Sequence, residues 1–245
     1  MTFCPLYMFV DSLCTIELPF GVVIANKRKE KKMTKSTAKL VLGSGLSETS
    51  KMPSYSFNLS ALHCRTGSKL AKVKGSVCEG CYALKGNYAR YKHPQKMIPK
   101  TERIQDAQWV KALVTLIQNQ GNKKDKDYFR WHDSGDLQSV EHLKKIVEVC
   151  NLTPSVNHWL PTREYGIVKA YIKEYGALPT NLSVRLSAHM IDTKPPKVKG
   201  LQSSSVHKET KPQGTECGAY KNNNECGDCR LCWNTSVENV SYKYH

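Results

Sequence analysis

The sequence predicts an α/β fold in which parallel strands form an open, incomplete barrel, followed by a small cysteine-rich segment at the C-terminus. Three observations predict it. From residue 54 onward, short strand patterns alternate with helical patterns of roughly ten to fifteen residues, the signature of strand–helix–strand units with right-handed crossovers. Polar residues recur where each strand pattern ends, which is where a parallel sheet keeps its working groups. Seven of the ten cysteines fall in two tight groups, one early in this region and one at its end.

Taken in order, Tyr55–Ser60 reads as the first strand. A cysteine-bearing loop follows and runs into a helix expected over Tyr82–Tyr91. Ile104, Ala107, Val110, Leu113, Val114 and Ile117 then recur at helical period and mark one apolar face. Tyr128–His132 is a short strand closed by Asp133-Ser134-Gly135-Asp136. Val140, Leu143, Ile146, Val147 and Cys150 define the next helix. Val156–Leu160 is a strand. Ile167, Val168, Tyr171 and Ile172 line a further helix, stopped at Gly176 and Pro179. Leu182–Ser187 is the next strand, and Lys194–Lys199 with Ser203-Ser204-Ser205 reads as a loop. Too few units are visible for eight-fold closure, so the expectation is a partial, open TIM-like barrel over 54–210 and a cysteine-rich tail over 211–245.

The N-terminal stretch 1–53 reads as an extension. Residues 5–25 are rather apolar, but Pro5, Asp11, Glu17 and Pro19 interrupt them, short of the ~20 apolar residues a membrane span needs. A basic leader and a small-residue cleavage site are both missing, which argues against a signal peptide. Lys27-Arg28-Lys29-Glu30-Lys31-Lys32 precede Met33, from which the sequence reads like a cytosolic start. Residues 1–32 are therefore expected to be an upstream or partly disordered leader.

The chain has 245 residues and a formal net charge of +16, with 40% hydrophobic residues. That length supports one sizeable core with a small appendage. The charge favours contact with anions, a nucleotide or nucleic acid, although lysine predominates and aromatics are not interleaved with it as a stacking platform would require. Cysteines concentrated at metal-ligand spacing, in a chain too long to need staples, point to a reducing compartment and against a secreted disulfide scaffold. Cys4, Cys14 and Cys150 stand alone, and Cys150 reads as a buried core thiol.

The first cysteine group is Cys64, Cys78 and Cys81; the second is Cys217, Cys226, Cys229 and Cys232. Thiolates at two-residue spacing converge on one soft metal centre. The downstream run Cys-x8-Cys-x2-Cys-x2-Cys would saturate an iron–sulfur cluster, and its closely spaced triplet resembles a ferredoxin more than a zinc ribbon. Zinc stays open as the alternative, as does one centre shared between both groups. His63, beside Cys64, is a further candidate ligand. Strand ends contribute Cys64, His132 with Asp133-Ser134-Gly135-Asp136, Thr162 with Arg163, and Ser187 with His189. A Walker-type phosphate loop and a Gly-x-Ser-x-Gly elbow are both missing. Pairing Cys78 or Cys81 with His132 as a thiol nucleophile is the weaker reading, since paired cysteines usually bind metals.

Three motifs in this order carry a resemblance: Cys78-Glu79-Gly80-Cys81-Tyr82-Ala83, Arg130-Trp131-His132-Asp133-Ser134-Gly135-Asp136, and Cys226-Gly227-Asp228-Cys229-Arg230-Leu231-Cys232. Over roughly residues 54–233 the chain resembles the phage family catalogued as gene product eighty-eight and, more distantly, radical SAM enzymes. The resemblance implies a [4Fe–4S] cluster on Cys64, Cys78 and Cys81 at the barrel mouth, with one iron open to S-adenosylmethionine (SAM). It places Ser134, Gly135 and Asp136 where that superfamily receives the methionine amino group, with Arg163 or Ser187 across the pocket. The other reading of Ser134-Gly135-Asp136 is a cap on a helix beginning near Leu137. The chain departs from the superfamily in its loop, where thirteen residues separate Cys64 from Cys78 instead of three. Loop-closure entropy rises slowly with length, so a longer loop can still close on a cluster.

Two functions follow as expectations. One is an iron–sulfur phage protein of the infected host's cytoplasm, redox-active or a radical SAM-type enzyme, with one or two clusters and a small-molecule or nucleotide ligand. The other is a zinc-stabilised basic protein that binds nucleic acid without redox chemistry.

Overall fold

Strand-forming sequence recurs seven times between residues 55 and 243, and each repeat pairs parallel to its neighbours. The computed structural model describes residues 32–244, together with the backbone of two short strands nearer the N-terminus. The chain divides into two units, 1–32 and 33–245. In the first, β1 (Thr15–Glu17) pairs antiparallel with β2 (Val23–Ala25), Ile16 opposite Ile24. The rest of that unit up to residue 31, with Cys4 and Cys14, lies outside the described residues, so the leader reading is untouched by the structure.

The second unit opens with α1 (Lys35–Leu42), earlier than the boundary expected at residue 54. The helix has sharp local signals: Thr34 caps its start by accepting from the Thr37 N–H (3.1 Å), and Gly43 ends it at φ 79°. These are ordinary N-cap and C-cap chemistries. Ala38 and Leu42 are fully buried against the main core, so residues 33–53 belong to the fold.

Next come β3 (Tyr55–Phe57), α2 (Arg65–Leu70), α3 (Gly86–Arg90), α4 (His93–Lys96), α5 (Ile98–Glu102) and α6 (Trp109–Gln118). The single helix expected over 82–91 is split. Tyr82–Leu84 makes one 3₁₀ turn and α3 starts only at Gly86, whose φ of 52° breaks the run. The apolar face expected over 104–117 is likewise broken, into a 3₁₀ turn at Arg103–Gln105 and α6.

From there regular units take over: β4 (Tyr128–Trp131), α7 (Val140–Leu152), β5 (Asn157–Thr162), α8 (Tyr165–Tyr175) and β6 (Leu182–Ser187). Sequence alone did not show the last three strands, β7 (Gln202–His207), β8 (Thr215–Glu216) and β9 (Asn239–Lys243). The expected loop at Ser203-Ser204-Ser205 is a buried strand. Its hydroxyls are satisfied across the sheet, Ser203 by Asn239 (2.9 Å), Ser204 by Ser187 (3.2 Å) and Ser205 by Ser241 (3.3 Å). Such pairing removes the cost of burying them.

The sheet order is β3-β4-β5-β6-β7-β9-β8, every pair is parallel, and the sheet does not close. Five consecutive strands lie side by side in chain order, as an incomplete barrel requires. The tail is therefore part of the sheet and not an appendage: β8 and β9 extend it, and the cysteine-rich segment between them folds back.

Alternation separates two faces. Phe129, Trp131, Leu160, Leu182, Val184 and Leu186 join the core formed with α6, α7 and α8. Trp109 stacks on Trp131 (6.2 Å between ring centres) and Phe57 meets both edge-on. Arg130, Trp159 and Arg185, one register position away, face the other side. Among the described residues no helix is long and apolar enough to cross a membrane.

Candidate functional site

The carboxyl end of β3 runs into a 3₁₀ turn, Ala61–His63, and delivers Cys64 to the edge of the sheet. Glu164, just past β5, accepts from both the backbone N–H (2.7 Å) and the hydroxyl (2.9 Å) of Thr66. This bidentate clasp fixes the start of α2 against β5. Gly67 supplies the space. A methyl group at Gly67 would lie 3.7 Å from Cys64 Sγ and 3.8 Å from Cys78 Sγ, so the two sulfurs face one small gap despite their separation in sequence.

Cys81 follows Cys78 through a tight turn in which its N–H donates to the Cys78 carbonyl (3.1 Å). Burial pushes the Cys64 thiol up to about 12, reinforced by the negative potentials of Asp136, Cys81 and Cys78 and opposed by Arg163. Cys78 is pushed up by burial in the same way, with Arg163 opposing. All three thiols, Asp136 and Arg163 thus share one neighbourhood.

The segment after β4 is held tightly. Ser134 Oγ donates to the Leu59 carbonyl (2.9 Å), and the Leu59 N–H donates to the Ser134 carbonyl (2.9 Å). Gly135 sits at φ 79°, where a Cβ would come within 2.6 Å of Leu59 Cβ, so only glycine fits. Asp136 is buried, and its carboxylate accepts from Thr162 Oγ1 (2.6 Å), the Leu137 N–H (2.7 Å) and the Arg163 N–H (2.9 Å). Burial raises its pKa, against these hydrogen bonds. A carboxylate offers about four lone-pair sites, so three are spent, two of them on joining β4 to β5. The capping alternative does not hold, because α7 begins at Val140 with Ser139 as its N-cap.

Arg163 carries a buried Nε without a hydrogen-bond partner, and its carbonyl lies 3.2 Å from His189 Nε2. Ser187 is drawn into the sheet: its hydroxyl pairs with Ser204, and its carbonyl accepts from Tyr165 (2.5 Å). His132 is buried at φ 55° with both ring nitrogens unpartnered, and its ring lies 5.3 Å from His142. Burial holds its pKa well below the usual imidazole range.

The second thiol group lies on the sheet's other face. Cys217 follows β8 directly. With Cys226, Cys229 and Cys232 it lines a cavity of about 220 Å³, floored by Val240 and Trp233. Burial pushes Cys232 up to about 12, partly offset by its hydrogen bond to Tyr242 Oη (3.1 Å). Cys217 and Cys226 are raised by burial too.

What holds this segment down is Arg185 in the middle of β6, completely buried. Its guanidinium donates to the carbonyls of Leu231 (2.9 Å), Cys232 (2.9 Å), Asn234 (2.7 Å), Val237 (2.9 Å) and Ser203 (3.2 Å). Trp233 adds a bond to the Phe129 carbonyl (2.9 Å) and packs edge-on against Trp159 and Tyr128. Arg185 and Glu164 are the residues that sequence reasoning missed. A lone charged residue inside a strand pattern, Arg185 within Leu182–Ser187, was the available signal.

Among the described residues no three His, Cys, Asp or Glu side chains form a ready-made metal site. The thiols of each group would have to close further on a metal. A single zinc, with Zn–S about 2.3 Å, draws tetrahedral sulfurs to within about 3.8 Å of one another. A four-iron cluster holds its thiolates outward from irons at alternate corners of a cube, farther apart, and asks for less closure.

A family model described as Gene product 88 matches residues 24–235. The chain belongs to this phage gene-product family. Neither a curated protein nor a solved structure matches the chain.

Proposed function

Proceeding from membership of the gene product 88 family, we propose that this chain is an iron–sulfur protein built on a radical-SAM-like, partial TIM-type barrel. In this reading Cys64, Cys78 and Cys81 hold a [4Fe–4S] cluster with one iron open. Cys217, Cys226, Cys229 and Cys232 hold a second, fully ligated centre for electron transfer or support. The observation that carries the reading is the cavity of about 220 Å³ lined by four thiols. A polynuclear cluster with bridging sulfides needs such space, whereas a single zinc draws its ligands together and leaves none.

At the mouth, the fourth iron position would take a chelating ligand such as SAM. Asp136 retains about one lone pair for an ammonium, and the unpartnered Nε of Arg163 suits a carboxylate. The open iron would supply the site for chelation and electron delivery; the protein's part is to place the ligand's charged groups and to shelter the site from water. Seven free thiols at metal-ligand spacing suit a reducing environment, consistent with work in the cytoplasm of an infected cell.

Purification without oxygen tests the reading. Brown protein with broad absorption near ~400 nm and iron matched by acid-labile sulfide is expected. Colourless protein carrying stoichiometric zinc would replace it with the zinc-stabilised, non-redox alternative. Calorimetry of the loaded protein with SAM, beside Asp136→Ala, separates an enzyme from a SAM-independent iron–sulfur protein.

A further inference from the structure

The insertion that carries the mouth thiols is also the most one-sidedly charged part of the chain. Between residues 65 and 96 stand eight lysines and arginines against one acid, Glu79. All are exposed, and Glu79 is already occupied by the Gly75 N–H (2.7 Å). Among the described residues none of the eight takes part in an ion pair. A merely solvated surface usually mixes signs, whereas this segment holds a net +7 of the formal +16. Two tyrosines stand open amid the charge. Tyr91 is 61% exposed with the Arg90 guanidinium 5.9 Å from its ring centre, and Tyr82 is 59% exposed, with its hydroxyl tucked onto the Asp133 carbonyl.

Cations that track a phosphate backbone, beside aromatic faces on which bases stack, are the two components of a single-strand platform. The local elements disfavour other polyanionic partners. Helices of six, five and four residues (α2, α3 and α4) are too short to lay an amphipathic face on a membrane or to fill a duplex major groove. We propose that this collar binds single-stranded nucleic acid and leads it across the mouth, so that the group acted on belongs to a polynucleotide. The collar contacts need no cluster; that the bound strand is a substrate rests on reading the mouth as the working end.

The test is fluorescence anisotropy with a labelled mixed-sequence single strand, using the full chain purified without oxygen. Lys69→Gln/Lys72→Gln/Lys85→Gln is compared with a charge-matched control on the helical face, Lys144→Gln/Lys169→Gln/Lys173→Gln. The collar triple is expected to weaken binding by about 10-fold or more and to flatten the salt dependence by about two log–log units, at ~0.7 per lost phosphate contact. The control should change little. Tyr91→Ala, which leaves the charge intact, should weaken binding about 5-fold or more. Equal losses from both triples, or none from either, would overturn the proposal. So would tighter binding of polyglutamate, of duplex or of anionic vesicles than of the single strand. Iron and sulfide measured on the same samples should not move with the collar triple. Cys78→Ala, conversely, should lose cluster and keep the strand, so the two readings fail separately.

Discussion

Asp136 shows how one residue can serve the fold and a site together. Its carboxylate ties the ends of β4 and β5 through Thr162 and the Arg163 N–H, and that same placement sets its charge beside Cys64. Removing it costs more than ligand affinity, because three donors would lose their acceptor, at about 1–3 kcal/mol for each buried one. Asp136→Ala should therefore lower the melting temperature as well as any SAM binding, whereas Asp136→Asn, which keeps an acceptor, should spare most of the stability. Gly67 separates fold from site more cleanly. Gly67→Val adds bulk where Cys64 and Cys78 face each other and leaves every thiol in place. We expect it to cut iron retained by the upstream group severely and to leave the tail's share intact, read by metal analysis against wild type. Unchanged iron would show that the two sulfurs do not share a centre. The thiols, Asp136 and Arg163 were legible in the sequence, because soft-metal ligands at short spacing and polar residues at strand ends carry their own signal. Arg185 was not, since its role appears only once the register sets it opposite four tail carbonyls and that of Ser203.

At the scale of elements, α7 and α8 follow the apolar periodicity closely, because each buries a single face against a continuous core, and β6 is a short strand buried along its whole length. Elements whose stability comes from elsewhere were hidden. β7 is rich in serine and looks like a loop until Asn239, Ser187 and Ser241 are seen to satisfy it. The helix expected at 82–91 breaks at Gly86, a position where backbone conformation outweighs helical pattern. Arg185 joins β6 to the tail, so Arg185→Met should leave several buried carbonyls short of donors. We expect a loss of about 3–5 kcal/mol in chemical denaturation, together with loss of the tail's metal. Loss of stability with the tail's metal retained would place the tail's anchorage elsewhere. Buried histidines set the acid response. His142 and His158 are both held down to about 3 by burial. In the unfolded chain each would titrate near 6.5, so the unfolded state binds more protons between the two values. Stability is then full above about pH 6.5 and falls as pH drops toward 3. His158→Gln should flatten that acid limb in denaturation curves collected across pH, and an unchanged slope would count against the assignment.

For the molecule as a whole, one sheet presents two thiol groups in different settings. The upstream group opens at the strand ends within a basic collar. The downstream group lies on the sheet's other face, with Cys229 exposed, in a segment that Arg185 and Trp233 hold down. This division suits an open-iron cluster at the mouth and a second, fully ligated centre, and it accounts for a cysteine-rich tail being woven into the sheet through β8 and β9. The most direct test is iron and acid-labile sulfide per chain in protein purified without oxygen, for wild type, Cys78→Ala and Cys229→Ala. The account predicts iron matched by sulfide in wild type and a partial, separate loss of both in each variant, with the Cys229→Ala protein also less soluble because its tail unfolds. Zinc without sulfide in wild type, or full iron retained in both variants, would contradict it.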